Sequence, residues 1–171
     1  MPKERHQEAI EIAKEASDSI TVGNPEDDQT QLGPVISDVQ FNKVQHLIQS
    51  GIDEGAMLVT GGMGRPDGLS KGYFVKPTVF AEVTSDMSIF REEIFGPVAG
   101  VIPFSSEADV IAQANDIRFG LSAGLWTRDL DRAMRCVDAI DSGTVWVNTF
   151  RSAAMMSPMG GFKDSGYGKH N

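Results

Sequence analysis

The chain has 171 residues, 40% hydrophobic and 23% charged, which suits one soluble domain with a real core. Its formal net charge of −9, with Lys and Arg scattered, argues against a nucleic-acid groove, which needs a basic face. It argues equally against an anionic membrane surface.

Residues Lys3 to Ser17 read as an amphipathic helix, with Ala9, Ile10, Ala13 and Ala16 recurring at helical spacing. A polar connector, Gly23 to Gln29, follows. Ser37-Asp38-Val39-Gln40 has the form of a capping box, in which the Ser and Gln side chains each satisfy an orphan backbone donor. The helix it opens carries Phe41, Val44 and Ile48 on one face and weakens at Gly51 and Gly55. Met57-Leu58-Val59-Thr60 predicts a short strand. The glycine loop Gly61 to Gly68 leads to β-prone residues at Tyr73-Phe74-Val75 and Thr78-Val79-Phe80.

Val101-Ile102-Pro103-Phe104 predicts a further strand. Ser106-Glu107-Ala108-Asp109 resembles a second capping box, opening a helix with Val110, Ile111 and Ala114 apolar that stops near Gly120. Leu121 to Trp126 reads as a strand. Asp129 to Ile140 reads as a helix with Leu130, Ala133, Met134, Val137 and Ile140 on its face. Thr144 to Val147 reads as a strand, and the Gly- and Ser-rich tail from Ser157 as a loop. Strands alternating with helices imply βαβ crossovers. The expected class is α/β, a three-layer α/β/α arrangement around a mostly parallel sheet, formed by residues 1–171 as a single domain.

Three local features invite a chemical reading. Gly62-Met63-Gly64-Arg65-Pro66-Asp67-Gly68 follows a strand as a dinucleotide fingerprint would. Its third glycine is one position late, however, and Pro66 with β-prone sequence beyond excludes an immediate helix, so it reads as a connector. Cys136 is the only thiol. It sits between Met134 and Val137 in an amphipathic helix with no His at hand, so it reads as a buried, inert side chain. One cysteine permits no disulfide framework and suits a reducing cytoplasm. His6, His46 and His170 form no metal-ligand spacing with it, so no metal site is expected. No signal-peptide pattern opens the sequence, and no apolar run approaches a membrane span.

The third feature is Arg91-Glu92-Glu93-Ile94-Phe95-Gly96-Pro97-Val98. Adjacent glutamates are ordinarily a solvated pair. Here they run into an aromatic residue and a Gly-Pro turn beside a strand, where ligand sites of open α/β sheets lie. A carboxylate can accept ribose hydroxyls, and an aromatic edge can pack beside a nicotinamide ring.

This segment resembles the E-E-I-F-G-P-V signature of the NAD(P)-dependent aldehyde dehydrogenases. Other stretches match in the same order. They are Gly33-Pro34-Val35-Ile36-Ser37, Gly72-Tyr73-Phe74-Val75-Lys76-Pro77-Thr78, Gly120 to Leu125, and Ser157-Pro158-Met159-Gly160-Gly161-Phe162-Lys163-Asp164-Ser165-Gly166. The resemblance runs end to end and corresponds to the C-terminal third or so of a full catalytic enzyme. It implies that Glu93 and Phe95 contact the nicotinamide end of NAD or NADP, and that Ala153 and Met159 line the aldehyde tunnel. Met159 replaces a Phe of the family pattern, and Lys169-His170 replaces Arg-Glu. A flexible thioether shapes the pocket differently, so the aldehyde preferred does not carry over.

The resemblance also implies what is absent. The family's nucleophilic Cys, its activating Glu and its Rossmann-type cofactor domain match nothing here and are expected upstream of residue 1. The expectation is therefore part of a cytoplasmic, homo-oligomeric enzyme that oxidises a small-molecule aldehyde to an acid. Alone, the chain is expected to bind no cofactor and to be inactive, with no catalytic residue of its own. Two rivals stand beside this. One is part of an acylating or acyl-phosphate-reducing relative; the other is a non-catalytic fragment that self-associates through exposed strand edges.

Overall fold

The computed structural model describes residues 1–152 and 157–169. They fall into two compact units, Met1–Phe104 and Ser105–Asn171, each taken by itself below.

In the first unit a short 3-10 turn, Lys3–Arg5, leads into helix α1, His6–Asp18. Ile10 and Ser17 are its buried residues, while Ala16, expected on the same face, points outward. Helix α2, Asp38–Asp53, buries Val44, Leu47, Ile48 and Gly51. It runs through Gly51 and stops where Gly55 takes a φ of 94°, which a side chain resists. A Cβ on Gly51 would press on Ile89 and Phe80, so small size there admits the sheet and the following turn.

Strands β1 (Met57–Thr60), β2 (Thr78–Ala81) and β3 (Val98–Val101) form one sheet in that order. β1 pairs antiparallel with β2, and β2 parallel with β3. The crossover between β2 and β3 holds the four-residue helix α3, Ser88–Arg91. Beyond β3, Pro2 and Phe104 form a parallel bridge, tied by Phe104 N–H to the Met1 carbonyl at 2.8 Å. All four residues of β2 are buried, so both of its faces are covered. Phe80, at 0% exposure, centres a cluster with Val44, Ile48, Ala56, Val75, Val83 and Met87.

Two strand expectations shift. The strand predicted at 101–104 begins earlier, directly after Gly96-Pro97, because Pro103 has no N–H to continue a ladder. Tyr73-Phe74-Val75 forms no strand. Val75 is buried, but among the described residues the segment's backbone bond to another segment is that from Val35 N–H to the Tyr73 carbonyl at 3.0 Å. Apolar burial alone did not require a ladder there.

In the second unit, helix α4 (Glu107–Asn115) is followed by β4 (Phe119–Gly120) and β5 (Ser122–Leu125). Helix α5 (Leu130–Ala139) then crosses to β6 (Thr144–Val147), which lies parallel to β5. The tail supplies β7 (Phe162–Lys163), antiparallel to β4, where a plain loop was expected. The α/β class therefore holds, with parallel pairing at both helical crossovers and antiparallel pairing at β1–β2 and β4–β7.

Helix α5 buries Ala133 and Cys136, while Leu130 and Met134, expected on the same face, are 74% and 54% exposed. Helix α4 ends at Asn115, where Asp116 caps it, five residues before Gly120.

Candidate functional site

The segment from Glu92 to Val98 is built by residues doing different work. Glu92 closes α3, its N–H bonding the Ser88 carbonyl at 2.9 Å. Ile94 turns inward against the apolar cluster and anchors the segment. Glu92 and Glu93 stay exposed, and Phe95 is 72% exposed. Phe95 also has a φ of 56°, a left-handed conformation that a bulky residue resists at a cost of about 1–2 kcal/mol.

What holds it there is helix α2. The Gln40 side-chain amide donates to the carbonyls of Ile94 and Phe95, both at 3.0 Å. Lys43 Nζ donates to the Glu93 carbonyl at 2.6 Å. Two amide–carbonyl bonds at about 1 kcal/mol net each are of the size needed to offset the backbone strain. Gly96 lies so close to Val44 that a Cβ would sit 2.7 Å from Val44 Cγ2. Three consecutive carbonyls and one glycine thus fix the segment's backbone to α2.

The same bonds correct the capping-box reading. Ser37 Oγ accepts from Gln40 N–H at 3.2 Å, as an N-cap should. The Gln40 amide, instead of returning to the Ser37 backbone, reaches the chain 54 and 55 residues further on. At α4, Ser106 Oγ accepts from Asp109 N–H at 3.1 Å, and Asp109 accepts from Ser105 N–H at 2.8 Å.

The Glu93 carboxylate has no hydrogen bond or ion pair among the described residues, so its oxygens are open to an incoming hydroxyl. Gln40 and Lys43 were not recognised from sequence as part of this arrangement. Their spacing signals only a helix start, and a contact at that separation leaves no local pattern.

The glycine loop behaves as a connector. Gly61, Gly62, Gly64 and Gly68 all take positive φ. Gly62 N–H is committed to Thr78 Oγ1 at 3.0 Å and Gly64 N–H to Gln45 Oε1 at 2.6 Å. Amides that would cradle a phosphate are thus occupied, and no helix begins there. Cys136 is free and buried within α5, as expected of an inert thiol. Among the described residues, no group of three or more His, Cys, Asp or Glu is placed to hold a metal ion. No helix among them is long and apolar enough to cross a membrane.

In the second unit, the tail carrying Met159 is bound backbone to backbone. A Cβ on Gly143 would collide with the Gly160 carbonyl, and one on Gly161 would meet Ser165, so this chain crossing needs glycine. Ser165 Oγ accepts from Gly120 N–H at 3.0 Å, and Lys163 Nζ donates to the carbonyls of Asn115 and Ile117 at 2.9 and 3.2 Å. Met159 is 45% exposed at the head of this loop. Ala153 lies outside the described residues. Glu93 and Phe95 belong to the first unit, and Met159 to the second.

An α/β chain with an acidic-aromatic turn beside a parallel strand and a glycine-bound tail has clear counterparts. The sequence model of the aldehyde dehydrogenase family matches residues 1–171. The chain belongs to the aldehyde dehydrogenase family, a family of oxidoreductases. It is 51% identical over 159 residues to a betaine aldehyde dehydrogenase of Sinorhizobium fredii, covering 92% of this chain and 32% of that protein. Betaine aldehyde dehydrogenase 1 of Rhizobium meliloti is 50% identical over 159 residues, with the same coverage of 92% and 32%. The structure of a Mycobacterium tuberculosis aldehyde dehydrogenase complexed with NAD+ superposes with a TM-score of 0.95 at 43% identity, covering 100% of this chain and 35% of that one. An aldehyde dehydrogenase from Bartonella henselae gives 0.94 at 43% identity, covering 98% and 35%. The chain thus spans about a third of the length of these relatives.

Proposed function

We propose that this chain is the cofactor-facing and substrate-lining part of the catalytic domain of an enzyme that oxidises an aldehyde to a carboxylic acid with NAD or NADP. The observation that carries the reading is the Glu93–Phe95 segment, pinned by its backbone while both side chains stay open to solvent. NAD or NADP, when bound, accepts hydride from the substrate carbon. Glu93 accepts hydrogen bonds from the nicotinamide ribose, and the exposed Phe95 ring packs beside the nicotinamide. The open Glu93 carboxylate and the prominent Phe95 ring fit those two roles. Met159 and Ala153 line the aldehyde channel. The full enzyme acts in the cytoplasm as a homo-oligomer.

None of these 171 residues matches the family's nucleophile, and the one thiol, Cys136, is buried in a helix. We therefore expect the isolated chain to hold no cofactor and to form no NADH or NADPH from any aldehyde. Turnover that Cys136→Ser abolishes would overturn that expectation. Betaine aldehyde heads the panel to test, because relatives near 50% identity carry that substrate in their names.

The positive test is a chimera in which this chain replaces the matching third of the Sinorhizobium fredii enzyme. NADH formation should be retained. Glu93→Gln in that chimera should lower kcat/KM for NAD+ by about 10–100-fold, the range for losing a charged hydrogen-bond partner. A folded chimera without turnover, or one indifferent to Glu93→Gln, would sink the assignment.

A second reading is a fragment that self-associates without catalysis. It is favoured by the exposure of Trp126, Leu130, Met134, Phe150 and Tyr167, all in the second unit.

A further inference from the structure

We propose that Gln40 is a positioning residue of the Glu93–Phe95 segment, and that Lys43 is its second tie. The claim rests on the reading of Glu93 and Phe95 as cofactor contacts and deepens it. It names what sets the direction of those two side chains.

Phe95 holds a left-handed backbone at a φ of 56°, yet its ring is largely exposed. Ring burial therefore does not explain the conformation, so the backbone contacts must. Ile94 packs inward, which holds the segment near the core but leaves the next φ free to relax to an extended value. Gly96 against Val44 sets how closely the turn approaches α2. Among the described residues, only the Gln40 amide touches the carbonyls on both sides of the Phe95 φ and ψ pair, Ile94 and Phe95, at 3.0 Å each. A single planar NH2 group with two protons matches two converging carbonyls. Relaxing φ to an extended value would swing one carbonyl away, and one bond would be lost.

Lys43 acts one residue earlier, on the Glu93 carbonyl at 2.6 Å. Its position one turn along from Gln40 puts both donors on one side of α2. Helix α2 is itself rigid, capped by Ser37 and buried along Val44, Leu47 and Ile48. The segment inherits that rigidity through three carbonyls. The Glu93 and Phe95 side chains thereby leave the backbone in set directions without any bond of their own, which keeps both available to a ligand.

The test uses the full 171-residue chain, isotope-labelled, with Gln40→Met and Lys43→Met as variants. Met keeps length and helix propensity but cannot donate, and Gln40 lies outside the buried face of α2, so the fold is retained. In the parent chain Phe95 should show the strong intraresidue amide-to-Hα NOE that a positive φ produces, and amides 93–95 should be rigid. In Gln40→Met that NOE should weaken, and the order parameters of amides 93–95 should fall from about 0.85 toward 0.6 or below. The amides of β2 should not change. Lys43→Met should loosen amide 93 more than amide 95. Gln40→Glu, equal in length but without donors at neutral pH, should behave as Gln40→Met does.

A parent-like Phe95 NOE in both Gln40 variants overturns the proposal. So does a loss of order that spreads equally over β2, since that would mark Gln40 as a general stabiliser. If Gln40→Met destabilises the chain, Lys43→Met and the residue-by-residue comparison with β2 still decide. No cofactor enters this experiment, so its failure is distinguishable from failure of the Glu93 assay in the chimera.

Discussion

At the scale of single residues, the segment from Glu93 to Gly96 shows how little freedom an exposed motif can have. Gly96 has an ordinary φ, so its requirement is space: the Cβ of any other residue would press on Val44. Val44 is fully buried within the apolar cluster, so it cannot give way cheaply. Gly96→Val should therefore destabilise the first unit by about 1–3 kcal/mol, as overpacking of a filled core does. The measurement is urea unfolding followed in the β2 amides, and an unchanged midpoint would refute the close approach. The residue scale is also where sequence reading was weakest. Glu93 and Phe95 were visible because they lie in a recognisable stretch. Gln40 and Lys43 were not, because the bonds that give them meaning span 50 to 55 residues.

At the scale of elements, one carboxylate carries the ion pairs between α4 and α5. Glu107 receives Arg135 through Nε at 2.7 Å and Nη2 at 2.9 Å, and Arg132 through Nε at 3.2 Å. The Arg135 hydrogen bonds, with the charge of both guanidinium groups, lower the Glu107 pKa from 4.5 to about 2. A depressed carboxylate stabilises the folded state above its unfolded pKa, and that contribution disappears as pH falls through the folded value. The second unit should therefore lose stability between pH 4.5 and about 2. Glu107→Gln should flatten that part of the thermal-melting profile while changing little at pH 7 in high salt, since the pair lies at the surface. An identical acid slope in Glu107→Gln would show that other groups carry it. Sequence named the three helices with side-chain caps and most strands, because caps and periodicity are local. It missed β7, whose two residues gain strand character only from pairing with β4. On α5 it placed Ala133 and Cys136 inward, as they are, but also Leu130 and Met134, which stay outside.

At the scale of the whole molecule, the chain covers about a third of its relatives yet carries several large apolar side chains in solvent. Trp126, Leu130, Met134, Phe150 and Tyr167 in the second unit join Ile36 and Val39 in the first. Where such groups gather into one patch, they ordinarily meet another surface. The net charge of −9 opposes self-association, and salt screens that repulsion. Light scattering should therefore show an apparent mass that grows with protein concentration and grows further on adding salt. A strictly monomeric chain at high concentration and high salt would remove the self-associating reading.

Sequence by itself determined the family, the order of its landmarks and the α/β class. These reside in short ordered stretches and in periodicities that a linear chain displays directly. It also marked Cys136 as a buried thiol, because the apolar neighbours along its helix are local. Only the tertiary structure decided that Gln40 leaves its capping box to hold Ile94 and Phe95, that Phe95 stands in a left-handed backbone, and that the tail crosses at Gly143 and Gly160. Each of those facts is a contact between segments distant in the chain. Local propensity carries no trace of such a contact, because its energy exists only once the two surfaces have met.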